Sequence, residues 1–253
     1  IILMLSDDQD WAGLSVSMDP RDPNSKSKYN ETPSLEALAA EGTRFTRAYA
    51  PSPVCSPTRA SIQTGKTPAR LNWTKAEPFF SEDDRQYLIP PTHAKNLQSS
   101  EITIGEMLQS INYSTAHFGK WHLGGFTDGM RPIDQGFDDS LMLYSSLYLP
   151  KNHPDVINAK IDSSVEDMVW ASSQYAVQFN GGEPFQPSGY ITDYYTDEAV
   201  NVINNNVDKP FFLYLGHFAP HNPLQSLKKD YEKHQHMQNH TLQVYSGTLS
   251  YKQ

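Results

Sequence analysis

Short apolar runs separated by polar segments organise this sequence. Residues 1–5 form a continuous apolar run, which predicts a strand buried on both faces, as in a parallel sheet. Residues 114–118 and 210–216 predict two further strands, and the alternating segment 43–49 predicts another. Residues 66–98 carry prolines and charges without periodicity, so we expect a long surface loop there.

Capping residues mark the predicted helices. Thr-Pro at 32–33 and Ser-Pro at 56–57 each suit a helix start, and a glycine ends each of these helices. A capping-box pattern at 103–106 predicts a short helix, and apolar spacing predicts a longer one over 196–207. The first helix is expected to bury three apolar residues, Leu35, Leu38 and Ala39.

Strands that alternate with helices indicate an α/β fold with a largely parallel sheet. Residues 126–190 show no clear pattern, so their structure stays open. Ligands in such folds bind beyond the carboxyl ends of the strands. Because each polar cluster with candidate chemistry follows such an end, the sequence predicts a functional site at that edge of the sheet.

Composition excludes several classes of protein. The net charge of −9 and the pI near 5.4 argue against a nucleic-acid binder with a basic face. Mean hydropathy is −0.59, and no stretch reaches the length of a membrane span. The single cysteine excludes an internal disulfide and a multi-cysteine zinc site, but it leaves a reactive thiol, or a group made from one.

That cysteine, Cys55, precedes the second predicted helix. Free N–H groups and the helix dipole favour an anion there, and Arg59 adds a fixed positive charge in the first turn. This is a sound place for sulfate or phosphate, although a cysteine before a capped helix is often merely buried. The full string C-x-P-x-R-x-x-x-x-T-G is far more specific, with a chance frequency on the order of 10⁻⁷ per position.

Four other residues carry candidate chemistry. Asp7 and Asp8 end the first strand, and paired carboxylates suit a hard divalent cation. In the segment G-K-W-H-L-G, Lys120 offers an ammonium group for an anionic oxygen and His122 a base near neutral pH. Solvated loop acids and a tryptophan-anchored turn are the simpler interpretations of these two segments taken alone.

Other histidines follow the last predicted strand. His221 lies in P-H-N-P-L-Q, and His217 stands four residues earlier, where we expect a supporting role. His234, His236 and His240 resemble a metal-binding tract, but their polar, amphipathic setting favours a solvated face.

Together these segments resemble the type I, formylglycine-dependent sulfatases. The match rests on C-x-P-x-R, on G-K-W-H-L-G, on P-F-F-L-Y-L…P-H-x-P-L-Q, and on the strand that ends in paired aspartates. The resemblance implies an alkaline-phosphatase-like α/β sandwich, here truncated, with a central largely parallel or mixed sheet flanked by helices. It also implies hydrolysis of a sulfate ester.

The resemblance assigns a role to each candidate residue. Cys55 would be converted by a formylglycine-generating enzyme to Cα-formylglycine, whose hydrate attacks sulfur and later expels sulfate. Arg59 would favour the nucleophilic alkoxide and Lys120 would contact the sulfate. His221 would protonate the leaving oxygen, and His122 would help to deprotonate the second hydroxyl during sulfate release.

The resemblance also implies a cation, partners and a compartment. Ca²⁺, or in some members Mg²⁺, would be bound by Asp7, Asp8 and the formylglycine oxygen at position 55. The substrate would be a sulfated carbohydrate or an aryl sulfate, with no nucleic-acid partner. The family is exported to the periplasm, lysosome or medium, so we expect such a location, although no signal peptide stands in this sequence.

The match covers essentially all of residues 1–253 but only the N-terminal half or so of the family's catalytic domain. The family has a later D-N-G element and a second sulfate-binding lysine, and this sequence contains no Asp-Asn dipeptide. We therefore expect the C-terminal remainder of the domain to be absent. This piece alone is expected to be inactive or poorly folded, with apolar surface exposed.

Two other functions stay open at this point. Some phosphodiester and phosphonate ester hydrolases of the same superfamily also use a C-x-P-x-R cysteine. A non-catalytic protein that binds sulfate or glycans is the other alternative, although the intact motifs argue against decay. The loops contain aromatic residues that suit either a sugar or aryl site or local packing: Trp73, Phe79, Phe80 and Trp170.

Overall fold

A computed structural model describes residues 1–76, 92–126, 128–160 and 163–250. Within these residues the strands are β1 (Ile2–Leu5), β2 (Ser114–Gly119), β3 (Asp139–Leu143), β4 (Val156–Ala159), β5 (Val177–Phe179), β6 (Phe211–Gly216) and β7 (Leu224–Leu227). The α-helices are α1 (Pro33–Glu41), α2 (Cys55–Thr64), α3 (Ile104–Gln109), α4 (Ser164–Ser172), α5 (Ile191–Asn205), α6 (Lys228–Tyr231) and α7 (His240–Leu249). Every helix in this part of the chain is too short or too polar to cross a membrane.

The main sheet has the strand order β1-β6-β2-β3-β5 within the described residues. The first four strands run parallel, and β5 pairs antiparallel with β3. A separate antiparallel pair joins β4 to β7. The prediction of an α/β fold with a largely parallel, mixed sheet is confirmed.

Apolar layers cover both faces of this sheet. Leu213 and Leu215 of β6 pack into one cluster with α5, whereas Phe212 and Tyr214 pack into a second cluster with α2 and Trp121. This division follows from the pleat, since successive side chains of a strand point to opposite faces. Two apolar faces explain why β6 appears in the sequence as a near-continuous hydrophobic run.

Strand β1 differs from its prediction. It pairs only with β6 in the described structure, and Ile2 and Met4 are about half exposed. The expectation of a strand buried on both faces is therefore wrong: Leu3 and Leu5 pack against one apolar cluster, but Ile2 and Met4 point to the other face, and an apolar run cannot reveal whether that face is covered. The strand still delivers the two residues that follow it, Asp7 and Asp8, to the carboxyl edge of the sheet.

Two other predictions fail as well. Segment 43–49 forms no strand, and Phe45 and Tyr49 are 71% and 85% exposed. Helix α1 forms as predicted but has no buried residue, so Leu35, Leu38 and Ala39 do not pack as expected. Alternation and amphipathic spacing create an apolar face, but they cannot supply the partner that would bury it.

The stretch 126–190, which the sequence left open, contains short elements. Strands β3, β4 and β5 have only three to five residues, and β3 begins with an exposed aspartate. Such short segments fall below the length at which periodicity is informative.

Helix α5 starts at Ile191, five residues before the predicted start, and the predicted capping box of α3 is confirmed by both of its hydrogen bonds. In the predicted loop 66–98, the described residues form turns and irregular segments, and 77–91 lie outside the described residues.

Two glycines let β2 and β6 approach closely where they end. Gly119 has φ +102°, and a Cβ at this position would lie 2.0 Å from the carbonyl oxygen of Gly216. A Cβ at Gly216 would in turn lie 2.9 Å from the carbonyl oxygen of Lys120. Only glycine permits this backbone path, which turns Lys120 back across the end of β6.

Gly119→Ala is expected to destabilise the fold by about 2–5 kcal/mol, because left-handed strain adds to a clash between two backbones. Chemical denaturation of the full-length protein would measure the change. Gly129→Ala is the matched control, since Gly129 has φ +81° but no atom within 4 Å of a built Cβ. The control should cost only about 1 kcal/mol, and equal losses in both variants would contradict the close-approach argument.

Candidate active site

Three parallel strands end together and gather the candidate residues. β1 leads to Asp7 and Asp8, β2 leads to Lys120, and β6 leads to the loop that carries His221. Helix α2 begins at Cys55 beside this edge. The prediction that polar clusters follow strand ends at one edge of the sheet is confirmed for these three strands, but Cys55 follows a segment that forms no strand.

Asp7 lies between two buried cations. Lys120 Nζ donates a hydrogen bond to Asp7 Oδ2 at 2.5 Å, and Arg59 Nη2 lies 3.3 Å from Asp7 Oδ1. All three residues are buried. Burial raises the pKa of Asp7, but the charges of Lys120 and Arg59 outweigh it and lower the pKa to about 2. The carboxylate is therefore ionised at neutral pH.

Arg59 ties helix α2 to the ends of the strands. Its Nη1 donates to the Lys120 carbonyl at 2.6 Å and to the Tyr214 hydroxyl at 3.3 Å. Burial lowers the pKa of Arg59, but Tyr214 and Asp7 raise it above its ordinary value. Its Nη2 is paired with Asp7, whereas its buried Nε has no hydrogen-bond acceptor among the described residues. The guanidinium group thus keeps one N–H donor without an acceptor in the described structure.

Cys55 is the first residue of α2 and is half-buried. The helix starts two residues earlier than predicted, at Cys55 instead of Pro57, which places Cys55 itself among the free N–H groups of the first turn. This end of α2 suits a group that develops negative charge.

His221 faces Asp8 at the rim of this cluster. Its Nε2 lies 3.4 Å from Asp8 Oδ2, and its Nδ1 lies 2.5 Å from the Asn222 carbonyl oxygen. Burial and Lys120 lower the pKa of His221, while Asp7 and Asp8 oppose that shift. Both ring nitrogens therefore face acceptors, but a proton on this ring is given up more readily than from an ordinary histidine.

The loop after β2 carries the other predicted residues of the site. The ammonium group of Lys120 lies 5.4 Å from the centre of the Phe218 ring. His122 is half-buried and adopts φ +60°, a conformation that non-glycine residues rarely adopt. Asp7 is thus in direct contact with Arg59 and Lys120. His122 lies two residues after Lys120 in the loop that follows β2.

Other histidines lie outside these contacts. His217 is partly accessible, yet its ring is enclosed enough that burial lowers its pKa to about 4. His234 is buried and bonds through Nε2 to Ser250 Oγ at 3.0 Å, so its predicted solvated position is wrong. Helix α7 packs over this turn, which the local sequence could not show. His236 and His240 are exposed, as predicted.

Sequence patterns missed two tyrosines. Tyr214 lies inside the apolar run of β6, and its hydroxyl accepts from Arg59. The sequence signal that could have identified Tyr214 is a hydroxyl-bearing residue within the apolar run of β6, on the face of the strand that packs against α2. Tyr148 lies in the unassigned stretch and contacts the His221 loop; nothing in the local pattern indicated it. Of the loop aromatics, Trp73 and Trp170 are buried packing residues, and Phe79 and Phe80 lie outside the described residues.

The carboxylates are the type of ligand that Ca²⁺ prefers, but their number is small. Asp7 and Asp8 are adjacent, and Ca²⁺ takes six to eight oxygen ligands. Among residues 1–76, 92–126, 128–160 and 163–250, no group of three or more His, Cys, Asp or Glu side chains is arranged to hold a metal ion. The two carboxylates fit a hard cation in kind, but they are fewer than the ligands that such a cation takes.

Comparison with known proteins decides the family. The family model described as Sulfatase matches residues 1–252. The chain belongs to the sulfatase family. It is 28% identical over 231 residues to N-acetylgalactosamine-6-sulfatase of Mus musculus, and 32% identical over 201 residues to an arylsulfatase of Hemicentrotus pulcherrimus. The alignments cover 90% and 76% of this chain but only 41% and 33% of those relatives.

Solved structures share the fold of this chain. Ps i-CgsB, solved in complex with k-i-k-neocarrahexaose, superposes with a TM-score of 0.76 at 27% identity, over 98% of this chain and 51% of that one. The PsFucS1 sulfatase from Pseudoalteromonas sp. superposes with a TM-score of 0.64 at 24% identity, over 98% of this chain and 49% of that one. The second likeness shows the fold alone. The predicted alkaline-phosphatase-like fold is thereby confirmed.

Proposed function

We propose that the protein carrying this chain hydrolyses a sulfate ester through a formylglycine made from Cys55. The observation that carries the proposal is the cluster of Asp7, Arg59 and Lys120 beside the N-terminus of α2. Asp7, Arg59 and Lys120 together carry one net positive charge, and Asp8, the other carboxylate of the site, lies at the rim with a 61% exposed side chain. Such a preorganised charge distribution binds an oxyanion and stabilises negative charge that develops during transfer.

Each residue has a task in this proposal. Addition of water to the formylglycine aldehyde gives two hydroxyls on one carbon. One attacks sulfur and displaces the alcohol; the other then loses its proton as the C–O bond to sulfate breaks, which re-forms the aldehyde and releases sulfate. Arg59 holds its guanidinium donors toward the oxygen at position 55, and Lys120 balances charge on the sulfuryl oxygens. His221 delivers a proton from Nε2 to the leaving oxygen. His122 takes the proton of the second hydroxyl.

We propose that Asp7 and Asp8 contribute carboxylate oxygens to a Ca²⁺ site, or to a Mg²⁺ site. The cation would add positive charge near the reacting oxygens, where Arg59 and Lys120 already lie. The oxygens missing from the described donor set would come from the remainder of the parent protein, as the D-N-G element of the family implies. Removal of the metal by a chelator is then expected to lower turnover.

The substrate would be a sulfated carbohydrate or an aryl sulfate. One relative is named an N-acetylgalactosamine-6-sulfatase and another an arylsulfatase, and Ps i-CgsB was solved with a neocarrahexaose. We further propose that a formylglycine-generating enzyme matures the protein, and that the protein is exported to the periplasm, lysosome or medium. No nucleic acid is expected as a partner, given the charge of −9.

Parallel assays test the proposed reaction. The full-length protein, co-expressed with a formylglycine-generating enzyme, is expected to hydrolyse an aryl sulfate far faster than the matching aryl phosphodiester. Faster turnover of the phosphodiester would indicate a phosphoester hydrolase instead. Tight binding of sulfated glycans without turnover of either ester would indicate a non-catalytic sulfate- or glycan-binding protein.

The 253-residue chain alone is expected to be inactive. Its coordination set is partial, and Ile2, Leu38, Phe45 and Tyr49 are at least half exposed. We therefore propose that these residues are the N-terminal portion of one sulfatase catalytic domain. Calorimetry and an aryl sulfate assay of the isolated chain check this: cooperative unfolding together with turnover would contradict it.

A further inference from the structure

Tyr148 bonds the loop that carries His221. Its hydroxyl donates to two backbone carbonyls, that of His221 at 2.8 Å and that of Phe218 at 3.2 Å. The single hydroxyl proton is shared between these oxygens, which lie on either side of the turn closed by the bond from His221 N to the Phe218 carbonyl. The tyrosine therefore fixes the turn at both of its ends.

Packing holds the Tyr148 ring itself in place. The residue is fully buried, and its ring stacks on Tyr190 at 5.4 Å between centroids and lies 5.3 Å from the Phe218 ring. Its backbone N–H donates to Gln225 Oε1 at 2.7 Å, and Gln225 Nε2 donates to Asn158 at 2.8 Å. The donor is therefore rigid, as a positioning group must be.

The Phe218 ring, which packs against Tyr148, also lies beside His221, the proposed proton donor, and Lys120, the proposed sulfate-binding residue. The Phe218 ring lies 4.7 Å from the His221 ring and 5.4 Å from the ammonium group of Lys120. A shift of the Phe218–His221 turn would therefore move the imidazole and the surface against which Lys120 rests. Small displacements of a proton donor are costly, because proton transfer requires hydrogen-bond contact with the leaving oxygen.

We propose that Tyr148 is a positioning residue that aligns His221 for protonation of the leaving oxygen. This inference rests on the proposed function, since it assigns Tyr148 to the general-acid step of that reaction. The hydroxyl does not itself exchange a proton with substrate. Burial raises the pKa of Tyr148 well above its ordinary value, so the group remains a donor throughout.

A series of leaving groups tests the inference. In full-length, matured enzyme, Tyr148→Phe is expected to lower kcat about 10- to 100-fold for a sulfate ester with a poor leaving group, such as an alkyl sulfate. For a nitrophenyl sulfate, which needs little protonation, the loss should stay below about threefold. His221→Ala should show the same selectivity with a larger loss on the alkyl ester.

Tyr175→Phe is the matched control. The Tyr175 hydroxyl also donates to two backbone carbonyls, those of Pro187 and Gly189, and its burial is similar, but those carbonyls lie outside the His221 loop. This variant should affect both esters equally and slightly. If Tyr148→Phe lowers turnover of both esters by the same factor, or of neither, its role is structural and the inference is wrong.

A second measurement separates this inference from the proposed function. The ¹⁵N-labelled imidazole signals of His221, followed by NMR, are expected to shift in Tyr148→Phe and to stay unchanged in Tyr175→Phe. Wild-type protein that hydrolyses neither ester would refute the proposed function. Even then, unchanged His221 signals in Tyr148→Phe would overturn the positioning role, and shifted signals would support it.

Discussion

Cys55→Ala is expected to reduce turnover of an aryl sulfate on the order of 10⁵-fold, the usual scale for loss of a nucleophile. Alanine has no side chain that can be converted to formylglycine, whereas Arg59, Lys120 and Asp7 would remain as they are. The activity that remains is expected to be only that which oxyanion binding provides. The comparison is made on full-length protein that has been co-expressed with a formylglycine-generating enzyme.

Unfolding measurements separate this loss from misfolding. Cys55 is half-buried, so its truncation should cost about 1 kcal/mol or less of folding free energy. Sulfate should still bind to the variant, because the cations of the site are retained. A Cys55→Ala protein that turns over at more than a few per cent of the wild-type rate would show that the reaction uses another nucleophile.

Asp7→Asn is expected to lower the free energy of unfolding by about 3–5 kcal/mol, the scale for breaking a buried ion pair from one side. The substitution leaves Arg59 and Lys120 buried without the anion between them. Like charges in a low-dielectric setting then repel each other, and each keeps its cost of desolvation. Urea denaturation of the full-length protein measures the loss.

An exposed ion pair provides the control for Asp7. Asp128 lies 3.2 Å from Arg131 with its side chain 93% exposed, so Asp128→Asn should change stability too little to resolve. Removing one of the two unpaired cations should also restore part of the lost free energy of unfolding. The double variant Asp7→Asn with Lys120→Met should therefore be more stable than Asp7→Asn alone. Equal stability of the Asp7 and Asp128 variants would contradict the central place given to this carboxylate.

Much of the site could be predicted because its residues follow strand ends. The rule that parallel strands end at one edge brought Asp7, Lys120 and His221 together before any geometry was known. Which carboxylate is buried could not be predicted, since Asp7 and Asp8 are adjacent and identical in type. That distinction arises because Asp7 forms ion pairs with Arg59 of α2 and with Lys120 after β2, whereas Asp8 lies at the rim of the site with a 61% exposed side chain.

The predictions that failed depended on partners elsewhere in the fold. Segment 43–49 alternates like a strand, and Leu38 has helical spacing, yet neither meets a surface that would bury it in the described structure. Conversely, Tyr148 lies in a stretch without pattern, because its role comes from carbonyl groups some 70 residues later in the chain. Local sequence encodes the faces of elements, but long-range contacts decide which faces are covered.

The most direct test of the account is the chemical state of Cys55 in the mature protein. Trypsin should release residues 48–59 as one peptide that contains this cysteine. Mass spectrometry of the full-length protein, co-expressed with a formylglycine-generating enzyme, is expected to find the aldehyde form of this peptide in a preparation that hydrolyses an aryl sulfate. An intact thiol at Cys55, in protein without sulfatase activity, would contradict the account.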